Sequence, residues 1–126
     1  MLSKSIAHAT ISVTDIARAR SFYEGKLGFT PKGEIVESHV VYAAGEGSMF
    51  VVYERNDPPK AENTAMGYEV ADVVAAVKWL KEKGVVFEEY DFPGLKTVDG
   101  IADVGGNKGA WFKDPDGNIL AVSEAS

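Results

Sequence analysis

A weak internal repeat constrains what this chain can fold into more than any other feature of its sequence. Residues 8–23 align without a gap on residues 65–80, at an offset of 57 positions. The aligned pairs are Val13 with Val70, Asp15 with Asp72, Ala19 with Ala76, and Phe22 with Trp79. A repeat of this kind indicates two similar structural modules. Because 126 residues is the length of one ordinary domain, we expect both modules to lie in a single domain.

Each repeat begins with a predicted strand and continues as a predicted helix. Apolar residues alternate with small or polar ones over residues 9–13 and again over residues 66–70, which is the period of a half-buried strand. An aspartate then stands where a helix N-cap is expected, at Asp15 and at Asp72, and its carboxylate can accept amide protons of the first turn. An amphipathic pattern follows each aspartate and stops at a glycine, which predicts one helix per module.

The opposite face of each first strand is predicted to line a cavity, because its side chains are small or polar. In the first module these residues are His8, Thr10 and Ser12. In the second module they are Ala65, Gly67 and Glu69. The two faces are expected to serve the same role, since the repeat aligns them.

Shorter strands are predicted after each helix, and each module is predicted to be βαβββ. Two of these strands are located in each module, at residues 35–43 and 48–55 and at residues 109–113 and 119–123. Residues 114–118, with the sequence Asp-Pro-Asp-Gly-Asn, are predicted as a turn. The modules then span residues 5–56 and 64–125. The poorly patterned segment 88–108 is predicted as a loop over the cavity.

Composition excludes several classes of function. The net charge is −6 and no basic patch exists, so nucleic acid is not an expected partner, and a neutral or cationic ligand suits the chain better than a polyanion. Without cysteine, disulfides, thiolate nucleophiles and iron–sulfur clusters are excluded. No apolar run approaches the length of about 20 residues that spans a bilayer, and the first residues lack the apolar core of a signal peptide. We therefore expect a cytoplasmic protein with no membrane partner.

Two motifs resemble those of a known superfamily. The first is His8-x4-Val13-x-Asp15 followed by Phe22-Tyr23-x3-Leu27-Gly28-Phe29, and the second is the closing run Trp111-Phe-Lys-Asp-Pro-Asp-Gly-Asn118. Together with the paired modules, they are similar to the vicinal oxygen chelate superfamily, which is the glyoxalase, bleomycin-resistance and extradiol-dioxygenase group. The resemblance implies an α+β fold in which two βαβββ modules form a curved mixed sheet around a cleft.

The resemblance also tests for a metal site. In metal-dependent members, His or Glu side chains on four strands hold the ion. The matching positions here are His8, Val52, Ala65 and Ala121. Only His8 has a lone pair to donate, and one imidazole is too few for Zn²⁺ or non-haem iron, so we expect no metal and no cofactor. A rearranged site that combines His8 with His39 or Glu54 stays an alternative.

The resulting hypothesis is metal-free binding and sequestration of a hydrophobic aromatic small molecule, of the antibiotic or natural-product resistance type. The predicted ligand-binding residues are His8, Thr10, Phe50, Val52, Ala65, Gly67, Glu69, Tyr90, Phe92, Trp111 and Ala121. The alternative is an enzyme, either a metal-dependent glyoxalase-like lyase or isomerase or a dioxygenase. A metal-independent variant of that alternative would use His8 and Glu69 as acid and base. The resemblance further implies a homodimer, either side by side or domain-swapped.

Overall fold

A computed structural model describes residues 2–33 and 36–124 of the chain, which divides into two compact units, residues 1–60 and residues 61–126. They are called unit 1 and unit 2 below. Each unit contains a mixed sheet and a helix packed against it. The predicted α+β class is therefore confirmed.

Within the described residues, unit 1 is a three-stranded sheet with one α-helix on one face. Its elements are β1 (Ala9–Val13), α1 (Ile16–Arg20), β2 (His39–Ala43) and β3 (Met49–Glu54). Helix α1 continues as a π-helical segment, Ser21–Lys26. The central strand is β3, which pairs in parallel with β1 and antiparallel with β2.

Within the described residues of unit 1, the βαβββ prediction overcounts the strands by one. A bridge between Pro31 and Tyr42 adds one residue to the sheet beside β2. Proline has no amide proton to extend a ladder, which explains why the pairing stops there. The strand predicted at residues 35–43 begins at His39, and residue 35 lies outside the described residues.

Unit 2 is a six-stranded sheet with one helix on one face. Its elements are β4 (Thr64–Val70), α2 (Val73–Glu82), β5 (Asp91–Phe92), β6 (Leu95–Val98), β7 (Ile101–Val104), β8 (Asn107–Lys113) and β9 (Ile119–Glu124). The strand order is β4-β9-β8-β7-β6-β5, with β4 and β9 parallel and the other neighbours antiparallel. Helix α2 packs on β8 and β9, and its buried residues are Val73, Val77 and Leu80.

The predicted loop over residues 88–108 was wrong, because most of it is strand. Strands β6, β7 and β8 are joined by two-residue turns at Asp99-Gly100 and Gly105-Gly106. All four turn residues have positive φ, which is the conformation of a type I′ hairpin. Asp-Gly and Gly-Gly between short apolar stretches are hairpin signals, so the sequence did contain the information.

The predicted helix caps are confirmed, and the repeat extends further than the sequence showed. Asp15 and Asp72 have nearly the same backbone angles, and each accepts a hydrogen bond of 3.1 Å from the third amide after it. A second carboxylate reaches each helix from the end of the parallel strand. Glu54 accepts from the Ile16 amide at 2.8 Å, and Glu124 accepts from the Val73 amide at 2.9 Å. Both units therefore place two carboxylates at the positive end of the helix dipole.

Candidate functional site

The sheet of unit 2 has one face covered by α2 and one face that α2 leaves open. The covered face carries buried residues of β8 and β9, including Ala110, Phe112, Leu120 and Val122. Alternate residues of the same strands point the other way. This opposite face is called the open face below, and it carries Gly67, Glu69, Gly109, Trp111, Lys113, Ala121 and Ser123.

The strand registers bring three predicted ligand-binding residues into one row of the open face. Gly67 pairs with Ala121, and Ala121 pairs with Trp111 on its other side. Neighbouring strands lie about 4.8 Å apart, so these three residues are direct neighbours. Ala65 precedes Gly67 by two residues and lies where the ladder between β4 and β9 shifts register, so it has no partner on β9.

Three aromatic rings form a chain at one side of this row. Tyr90 meets the Trp111 indole edge to face, with ring centroids 5.7 Å apart, and Phe92 meets Tyr90 at 6.0 Å. Trp111 and Tyr90 are half-buried, while Phe92 is 54% exposed. The rings Tyr90, Phe92 and Trp111 are called the aromatic cluster below.

Hydrogen bonds of the backbone and of the Thr97 side chain hold the aromatic cluster in place. The Glu88 amide donates to the Trp111 carbonyl at 2.8 Å, which attaches the segment before β5 to β8. The Tyr90 amide donates to Thr97 Oγ1 at 2.8 Å, and the Thr97 amide donates to the Tyr90 carbonyl at 2.8 Å. Thr97 is buried. This positioning role of Thr97 was not predicted, because β6 was not recognised in the sequence.

Space beside the Trp111 indole is provided by residues without bulky side chains. A Cβ added at Gly67 would meet only the Ala121 carbonyl oxygen, at 3.9 Å. A Cβ added at Gly109 would meet the far edge of the indole at 3.6 Å, so the ring leans over this glycine. The row therefore offers a flat surface of backbone and one methyl group next to an aromatic ring.

Polar groups border the aromatic cluster. Lys113 forms an ion pair with Glu88 at 3.3 Å. One row away on the other side of Trp111, Glu69 pairs across the strands with Ser123. Burial, and then the carboxylate of Glu88, raise the pKa of Tyr90, so its hydroxyl is protonated at neutral pH and can donate a hydrogen bond.

The remaining predicted residues lie in unit 1, and two of them were assigned to the wrong face. His8 and Thr10 are exposed, His8 directly before β1. Phe50 and Val52 are 2% and 1% exposed, on the face that packs against the helix. This corrects the prediction that they line a cavity: residues 49–53 are apolar throughout, so the sequence shows no alternation from which to choose the face.

The registers also correct the superfamily's metal positions. In unit 2, the metal position Ala121 pairs with Gly67 of β4. Because the repeat aligns Gly67 with Thr10 of β1, the equivalent position in unit 1 is the residue of β3 that pairs with Thr10, which is Val51 and not Val52. The corrected position offers no donor atom either. His8 supplies the one metal-binding side chain of the set, so the residues present do not fit the superfamily's metal ion.

The rearranged metal site is not assembled. The Glu54 carboxylate accepts a hydrogen bond from the Ile16 amide. His39 lies two strands away from His8 and at the opposite end of the sheet. Among residues 2–33 and 36–124, no group of three or more His, Cys, Asp or Glu side chains is arranged to hold a metal ion.

Comparison with known families decides the identity. The model of the glyoxalase/bleomycin resistance protein/dioxygenase superfamily matches residues 5–122. The chain belongs to this superfamily. No curated protein matches the chain.

Solved structures share the fold of this chain. A glyoxalase/bleomycin resistance protein from Catenulispora acidiphila is 26% identical with a TM-score of 0.66, and the alignment covers 96% of this chain and 98% of that one. A glyoxalase family protein from Enterococcus faecalis is 23% identical with a TM-score of 0.73, covering 98% and 100%. TnmS3, an antibiotic binding protein from a Streptomyces species, is 22% identical with a TM-score of 0.67, covering 100% and 99%.

Within the described residues, no helix is long and apolar enough to cross a membrane.

Proposed function

We propose that this protein binds and sequesters a flat, mostly apolar aromatic small molecule on the open face of unit 2. The observation that carries the proposal is the row Gly67, Ala121 and Trp111, which sets an indole beside a surface without bulky side chains. A ring system lying on this row would gain apolar burial and about 0.5–1.5 kcal/mol from each aromatic contact. Antibiotic binding by TnmS3, a relative of the same fold, supports this class of ligand.

The donor set favours binding over metal-dependent chemistry. Val51, Ala65 and Ala121 give the superfamily's metal positions no lone pair, so the proposal involves neither a metal nor a cofactor. Metal analysis of protein purified without chelator tests this part. A stoichiometric transition metal that is lost in His8→Ala would instead support the lyase, isomerase or dioxygenase alternative.

Equilibrium dialysis against anthraquinone and related tricyclic compounds tests the site. Trp111→Ala should weaken binding by about 1–3 kcal/mol, as truncation of an aromatic anchor does, whereas Trp111→Phe should retain most of the affinity. Gly67→Val should also weaken binding, because its side chain would occupy the open surface. Trp79→Phe is the matched control, since Trp79 is an exposed tryptophan on α2.

Recovery of the bound compound separates sequestration from catalysis. We expect the compound to be recovered unchanged after incubation with the protein. Equal binding by wild type and Trp111→Ala would contradict the proposed site, and a converted compound would contradict sequestration. The homodimer implied by family resemblance stays a prediction, which light scattering would contradict if it showed only a 13.5 kDa particle.

A further inference from the structure

The open face holds one carboxylate that the fold does not use, and it lies within reach of a ligand stacked on Trp111. Glu69 follows Gly67 by two residues on β4, and its side chain is exposed. Two strand spacings and two residues separate Glu69 from Trp111, which corresponds to about 12 Å between their Cα atoms. The residues between them on β9 are Ala121 and Ser123, whose side chains are small.

Two other charged side chains near this surface already have partners. Glu124, at the end of β9, accepts from the Val73 amide on the opposite face. Lys113 is paired with Glu88. The Glu69 side chain, by contrast, makes no hydrogen bond or ion pair within the described residues. A ligand stacked on the row would therefore meet the uncompensated negative charge of Glu69 on the side of the row away from Lys113.

The charge of the second module acts in the same direction. Residues 65–126 contain 6 basic and 11 acidic side chains, a formal charge of −5. This field attracts cations and repels anions. A carboxylate beside an aromatic surface binds a protonated amine through a charge-assisted hydrogen bond.

We propose that the ligand is an aromatic amine, whose rings lie along the row beside Trp111 while its protonated nitrogen binds Glu69. This inference rests on the proposed function, because it specifies the chemistry of a ligand at the same site. It adds a specificity that ring stacking alone does not supply. The carboxylate distinguishes a cationic polycycle from a neutral one of equal shape.

A matched pair of probes tests the proposal. 9-(Aminomethyl)anthracene is cationic at neutral pH and 9-(hydroxymethyl)anthracene is neutral, while their rings are identical. Equilibrium dialysis should show about fivefold tighter binding of the amine by wild type at low ionic strength, and a smaller preference at high ionic strength. Glu69→Gln should abolish the preference by weakening binding of the amine alone. Glu82→Gln, which removes an exposed carboxylate from α2, should retain it.

The variants separate failure of this inference from failure of the proposed function. Trp111→Ala should weaken both probes equally. If it does, but Glu69→Gln leaves the preference unchanged, the amine assignment is wrong and the aromatic site stands. Equal loss of preference in Glu69→Gln and Glu82→Gln would also overturn the assignment, because only net charge would matter. If neither probe binds, or Trp111→Ala has no effect, both proposals fail.

Discussion

The turn between β8 and β9 offers a sharp test, because one buried carboxylate holds it together. Asp114 is 4% exposed, and its side chain accepts hydrogen bonds from the amides of Asp116 and Asn118, both at 2.9 Å, and from Asn118 Nδ2 at 2.8 Å. Asn118 is also buried, at 7% exposure. This turn sets the register that places Trp111 opposite Ala121.

We expect Asp114→Ala to lower the free energy of unfolding by about 3–5 kcal/mol. Each hydrogen bond to a charged group contributes about 1.5–3 kcal/mol, and the two donors of Asn118 would be left buried without an acceptor. The amide of Asp116 is only part-buried and can turn to water, so it adds little. Asp114→Asn keeps an oxygen acceptor but directs an amide group at Asn118 Nδ2, so its loss should be intermediate.

Urea denaturation followed by circular dichroism measures these differences. Asp103→Ala is the matched control, because Asp103 accepts one exposed hydrogen bond of 3.0 Å from the Gly106 amide in the turn before β8. Its expected cost is about 1 kcal/mol or less. If Asp114→Ala loses no more stability than Asp103→Ala, the argument from buried donors is refuted.

Two further predictions concern backbone geometry and acid stability. Gly100→Ala should lower the free energy of unfolding by at least about 1–2 kcal/mol in thermal unfolding, because Gly100 has φ of +83° and an added Cβ would lie 2.8 Å from the Cβ of Phe87. Gly25→Ala is the control and should be neutral or stabilising, because open space surrounds Gly25. A hydrogen bond of 2.7 Å from Arg20 holds the pKa of Glu24 below its ordinary value of 4.5. The stability contributed by ionised Glu24 is therefore present above pH 4.5 and is lost as the pH falls through the lowered pKa. Urea titrations should therefore show that Glu24→Gln loses less stability than wild type between neutral and acidic pH. An equal loss of stability in the two proteins would contradict this.

The sequence by itself determined the features that depend on local chemistry. The aspartate caps, the turn at residues 114–118 and the alternation of β4 are each encoded within a few residues, because capping, turn formation and strand burial act over that range. The repeat and the two motifs were sufficient to identify the superfamily, whose model spans residues 5–122.

The aromatic cluster was only partly predictable. Tyr90, Phe92 and Trp111 were candidates, but their mutual contacts depend on β6 and on the hydrogen bonds of Thr97. Strands β5 and β6 are short and carry little periodicity, although the dipeptide Asp99-Gly100 that joins β6 to β7 is a clear hairpin signal.

Tertiary structure decided which face each residue occupies and which distant groups meet. Val51 and Val52 are chemically identical, and only the pairing of β3 with β1 and β2 directs Val52 into the core. Glu54 and Glu124 are indistinguishable from surface carboxylates in the sequence, yet parallel pairing brings each to a helix N-terminus 38 or 51 positions away. Such placements depend on strand register, which is set by packing of the whole sheet because a shift of one residue exchanges its two faces.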